Sequence, residues 1–210
     1  MNFALWDALA QQGSERFKLN RELLEFQQDK SMSDFVPFPP PPPVEGLYLV
    51  GFRLDPAIEG AQFYTIFALE GDNERPSTEN GRVLFFVDPA DAETALARSD
   101  AAMRALGEAP TQLEMLCDVA DALHVANAAE TDADGILLDC IACLDDLVRA
   151  AEINAPAEYM GVLSALSERL MEDPNFGPWL IEQGVDRERV EDALMWCVGA
   201  VAVKSTWVGK

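Results

Sequence analysis

The stretch AETDADGILLDCIAC, which ends at Cys143, combines acids, a glycine and two cysteines in an order that could bind an ion. A calcium loop starting at Glu130 would use Asp132 and Asp134 as oxygen ligands and Gly135 for the sharp turn. Its twelfth position, however, is Ile141, where calcium requires a bidentate carboxylate. We therefore interpret these acids as capping groups for the helix that follows.

The two cysteines suggest zinc or redox chemistry as further alternatives. Cys140 and Cys143 have CxxC spacing, and a hairpin of two helices would bring His124 and Asp121 near them. Cys117 would lie roughly 10 Å from His124 along one helix, which is too far for one zinc ion. Both CxxC cysteines fall on an apolar helical stripe, where free cysteine behaves as a small hydrophobe. We expect buried, reduced thiols without metal, and no cofactor.

The single histidine, His124, is expected to be buried and hydrogen-bonded rather than catalytic. The chain contains no GxGxxG, GxxxxGK[ST], GxSxG or HExxH motif. An enzyme that uses carboxylates, with or without a metal, remains the alternative hypothesis, and its site would lie near Asp121 and His124.

The charge is the strongest bulk feature of the chain. Its 210 residues contain 15 Lys and Arg against 37 Asp and Glu, a net charge of −22. This balance argues against binding a nucleic-acid backbone or an anionic membrane. Residues 108–155 contain eleven acids and one base, Arg149. We expect six of these acids to face outward and to bind a basic protein partner: Glu114, Asp118, Asp132, Asp139, Asp145 and Asp146.

The elements that must position these residues indicate an α+β fold. Residues 1–34 have helical spacing, and residues 35–46 form a proline-rich strap with five consecutive prolines. Residues 47–107 predict a three-stranded antiparallel meander followed by a helix that Asp88 caps. From residue 111 onward the apolar spacing predicts helices alone, packed as a bundle against the sheet over residues 108–210.

These observations predict a non-enzymatic acidic interaction protein that resembles an inhibitor, an immunity-type neutraliser or a chaperone in its mode of action. An acidic mimic of DNA is a further possibility, since it also uses surface carboxylates. No targeting signal or membrane span is evident, so a cytoplasmic location is expected. The oligomeric state stays open.

Overall fold

The computed structural model describes residues 46–71, 73–128 and 130–209. The helices predicted for residues 1–34 and the strap predicted for 35–46, except its last residue, lie outside this part. Within it the fold is α+β, as predicted, with a seven-stranded mixed sheet and helices on both of its faces.

The first five strands pair with one another only in the antiparallel sense, and the three longest of them are rich in aromatic and β-branched residues. They are β1 (Gly46–Arg53), β2 (Phe63–Glu70), β3 (Asn73–Pro76), β4 (Thr78–Glu79) and β5 (Arg82–Phe86). β1 pairs with β2 from Gly46 opposite Leu69 to Phe52 opposite Phe63. β3 pairs with β2, and β4 pairs with β5. Residues 71–81 are rich in turn-forming residues, yet this segment supplies both of these short strands.

Two further strands contradict the expectation of a purely antiparallel, three-stranded sheet. β6 (Leu113–Asp118) pairs in parallel with β1, and β7 (Ser205–Val208) pairs in parallel with β5. The prediction that the chain is helical throughout from residue 111 is therefore wrong. The segment LEMLCD is too short for its apolar spacing to distinguish a strand from a helix, and its partner strand lies some sixty residues earlier.

The helices begin and end close to the predicted breaks. A 3₁₀ turn over Pro89–Asp91 follows Asp88, whose carboxylate accepts a hydrogen bond from the amide of Ala90 at 2.9 Å, as the capping prediction required. The helices that follow are α1 (Ala92–Arg98), α2 (Ala101–Ala105), α3 (Val119–Ala128), α4 (Ile136–Ala150), α5 (Ala157–Glu172), α6 (Gly177–Gln183) and α7 (Arg187–Val203). The helix predicted over 89–107 is thus interrupted between α1 and α2.

The sheet separates two hydrophobic cores because alternate residues of its strands point to opposite faces. Leu49, Ile66 and Phe86 belong to the core with α1 and α2. Val50 and Phe85 belong to the larger core with α3 to α7. In that core α4 packs against the sheet and also against α3, α5 and α7. The fold therefore fixes α4 rigidly while one side of it remains at the surface.

Candidate functional site

The acidic loop before α4 is a helix cap. Asp132 is only 5% exposed, and its carboxylate accepts hydrogen bonds from the amides of Leu137 at 3.1 Å and Leu138 at 2.9 Å. Gly135 adopts a left-handed conformation, φ 73°, immediately before the helix. The expectation that Asp132 faces outward is wrong because the first amides of a helix need acceptors. Both of its carboxylate oxygens are already used, which leaves the loop poorly suited to calcium.

Two more of the six predicted acids lie away from α4. Glu114 is exposed on β6. Asp118 ends β6, accepts a hydrogen bond from Nε of Arg53 at 2.8 Å, and also accepts one from the amide of Asp121 at 3.0 Å. Asp118 therefore caps the first turn of α3, and the guanidinium of Arg53 already neutralises its charge.

The alternative site near Asp121 and His124 contains this same arginine. Arg53 Nη2 lies 2.7 Å from Asp121 Oδ2, and the hydrogen bond to Asp118 is the largest cause that raises the pKa of the guanidinium. His124 is exposed on α3, contrary to the expectation that it is buried. No group of three or more potential metal ligands was found in residues 46–71, 73–128 and 130–209.

The cysteines are buried, as their apolar stripe predicts. Cys140 and Cys143 on α4 have almost no exposed surface, and both are free thiols. The Sγ atom of Cys140 lies 3.9 Å from that of Cys117 on β6. The contact with Cys117 and burial together raise the pKa of Cys140, so these thiols are inert packing groups at neutral pH. That no metal binds to Cys140 and Cys143 remains a prediction.

The other three predicted acids gather with a fourth that the sequence did not reveal. Asp139, Asp145 and Asp146 lie along α4, and Glu74 on β3 is close enough to influence the titration of Asp139 and Asp146. We call Glu74, Asp139, Asp145 and Asp146 the α4 acidic patch. Asp139 and Asp146 are seven residues apart and share one helix face, whereas Asp145 lies about 100° around the helix from Asp146 and is linked to it through Arg149.

Negative charge in this patch is only partly compensated. Burial, followed by repulsion from Asp132 and Glu74, raises the pKa of Asp139 to about 6. Asp139 is nevertheless exposed by accessible area, so its carboxylate is crowded by protein on one side rather than enclosed. It has no ion pair with any described residue.

Asp146 is more enclosed, with a side chain 12% exposed. Burial is the main cause that raises its pKa to about 6, and Glu74 and Asp145 add to this effect. Arg149 opposes it, since Nη2 of Arg149 lies 3.0 Å from Asp146 Oδ1. The same guanidinium also contacts Asp145. One exposed arginine thus serves both carboxylates.

A buried hydroxyl lies at the inner side of the α4 acidic patch. Tyr48 on β1 packs its ring 5.7 Å from that of Phe67, and its hydroxyl has no hydrogen-bond partner within the described residues. Burial is the main cause that raises the Tyr48 pKa, and Glu74 raises it further without reaching hydrogen-bonding geometry. No sequence pattern singled out Tyr48, and Glu74 lies in a segment that is rich in turn-forming residues.

The chain was compared with protein-family models, with curated proteins and with solved structures, and none of the three comparisons found a match. Among the helices in the described part of the chain, none combines the length and apolar character that a membrane crossing requires.

Proposed function

We propose that the protein is a non-enzymatic interaction protein whose α4 acidic patch binds a basic protein partner. In this proposal it acts in the cytoplasm, as an inhibitor, an immunity-type neutraliser or a chaperone does. The four buried, unpaired cysteines are in keeping with a reducing compartment. The proposal concerns the class of partner, a protein with exposed Lys or Arg.

The observation that carries the proposal is the grouping of four acids on and beside α4, where Arg149 is the one base among the described residues that forms ion pairs with them. Burial, with added repulsion from neighbouring acids, raises the pKa of Asp139 and of Asp146 to about 6. A lysine or arginine of a partner would favour the ionised forms of Asp139 and Asp146 and would offset their repulsion from Glu74. Binding at neutral pH would therefore be favourable at this point of the surface and would weaken below about pH 6.

The test is the affinity of the protein for a fluorescent oligolysine peptide, measured by anisotropy. The affinity is expected to fall about tenfold or more between about 20 and 200 mM salt, because salt screens surface charge. A Glu74→Gln, Asp139→Asn variant removes two charges of the patch and is expected to weaken binding severalfold at low salt.

The matched control removes two exposed acids elsewhere, in Glu172→Gln, Glu182→Gln. It has the same net charge as the patch variant, so it isolates the effect of position. Equal losses of affinity in the two variants would mean that only total charge matters, and the proposed binding surface would have to be abandoned.

A further inference from the structure

A groove between α4 and α5 adjoins the acidic patch and encloses about 340 Å³. Its lining includes Ile141, Leu163 and Cys197, all of which are buried, and Met160 and Met171 lie along it. Met171 is 63% exposed, which is high for a large apolar side chain. Methionine adapts its shape to different partners, so a lining of this kind suits an inserted apolar side chain.

The rim of the groove is polar and mainly acidic. Asp145 and Asp146 lie on its α4 side, and Glu168 and Ser164 lie on its α5 side. The one base on the rim, Arg149, has a side chain 65% exposed and contacts both aspartates. The ion pair between Arg149 and Asp145, whose side chain is 41% exposed, is weak, so a competing cation can replace Arg149 there at little cost.

We propose that this groove is the anchoring recess for the basic partner, and that it accepts an apolar side chain lying next to a Lys or Arg on an amphipathic helix. The proposal rests on the proposed function, because Asp145 and Asp146 belong to both the patch and the rim. Charge complementarity identifies the occupant: the apolar floor takes a residue such as Leu, and the rim takes the neighbouring cation. Buried apolar anchors beside charged contacts are the usual source of affinity in protein interfaces.

Arg149 has a specific role in this arrangement. Its guanidinium occupies the positions that the partner's cation would take, so it acts as an internal competitor. Its removal should therefore strengthen binding, although it deletes an ion pair.

The experiment compares two labelled peptides of equal length and charge. One is an amphipathic Leu–Lys helix, and in the other Ser replaces every Leu. The Leu–Lys peptide is expected to bind about ten- to a hundredfold more tightly, since the recess removes one leucine side chain from water. Ala142→Trp places a large side chain in the groove and should abolish this difference. Ala165→Trp, at an exposed position of α5 that does not line the groove, should preserve it.

Arg149→Gln should tighten binding of the Leu–Lys peptide about three- to tenfold, and Arg189→Gln, which makes the same charge change on α7, should have a smaller effect. Far-ultraviolet circular dichroism of each variant verifies that it is folded. If both peptides bind alike and with the same salt dependence, the recess is refuted while the acidic patch stands. If neither peptide binds, both proposals fail.

Discussion

Replacing Asp132 with alanine should destabilise the protein strongly, because this residue closes the first turn of α4. Its carboxylate accepts two amide hydrogen bonds, at 3.1 and 2.9 Å, in a site that is 5% exposed. A hydrogen bond to a charged group contributes about 1.5–3 kcal/mol, and a lost helix cap costs about 0.5–2 kcal/mol. Because the two bonds share one carboxylate, we expect a loss of about 2–4 kcal/mol in the free energy of unfolding.

Urea unfolding followed by circular dichroism measures this loss. With a slope of about 2 kcal/mol per molar urea, the midpoint should fall by about 1–2 M. Asp132→Asn keeps an acceptor oxygen without the charge and should lie between the wild type and the alanine variant. Asp134→Ala is the matched control, because Asp134 is exposed in the same loop and no hydrogen bond of its side chain is found among the described residues. Its effect should stay within about 0.5 kcal/mol.

Two results would refute this reasoning. Equal destabilisation by Asp132→Ala and Asp134→Ala would mean that the loop acts only through its total charge on the helix dipole. A rise in the unfolding midpoint of the wild type when calcium replaces EDTA would mean that the loop binds the ion. No such shift is expected, because the Asp132 oxygens are occupied by backbone amides.

Three further predictions concern packing, titration and the thiols. Gly51→Ala should destabilise by about 1–3 kcal/mol in urea unfolding, because the new Cβ would lie 2.5 Å from Cβ of Ala61, whereas Gly46→Ala has open space and should change little. The pKa values of Asp139 and Asp146, raised to about 6 from about 3.9 in an unfolded chain, mean that the folded state binds their protons more tightly. The stability that these protons contribute is fully present below about pH 3.9, the unfolded pKa, and is lost as pH rises through 6, the folded pKa. The Asp139→Asn, Asp146→Asn variant should therefore lose less stability than the wild type between about pH 5 and 7.5, as measured by urea unfolding. The buried cysteines should not react with an aromatic disulfide reagent in the native protein, and all four should react in urea; rapid native labelling would contradict the burial described above.

The sequence predicts those elements whose signals are local. The strands β1, β2 and β5 follow from aromatic and β-branched segments between turns, and α4 follows from an apolar stripe that includes Cys140 and Cys143. The cap at Asp88 could be predicted because an Asp side chain accepts a hydrogen bond from a first-turn amide and Pro suits the first helical position. In each case neighbouring residues alone determine the structure.

The features that the sequence did not predict depend on distant partners. β6 is a strand because β1 offers it a parallel edge, and no local pattern in LEMLCD records that pairing. Glu74 joins the acidic patch only because β3 pairs with β2, which carries it toward α4. Aspartate is usually exposed, but Asp132 is buried because its carboxylate accepts hydrogen bonds from two amides in the first turn of α4. Contacts of this kind, between residues far apart or at helix ends, decide which acids remain available to a partner.

The magnitudes on α4 indicate why the helix can carry the remaining acids that the proposed binding would use. Five of its buried residues are Leu, Ile or Val, and each of these contributes about 1.5–3 kcal/mol of hydrophobic stabilisation relative to exposure. Keeping Asp139 and Asp146 ionised above about pH 6 has a cost, because burial and repulsion raise the pKa of both carboxyl groups, but the summed stabilisation from the buried residues exceeds it. The helix therefore tolerates Asp139, which has no ion pair with any described residue, and Asp146, which shares Arg149 with Asp145. We expect neutralisation of Asp139 and Asp146 to leave the fold intact or more stable and to weaken the proposed binding to a basic peptide. Opposite changes in stability and affinity distinguish acids that serve recognition from acids, such as Asp132, that hold the fold together.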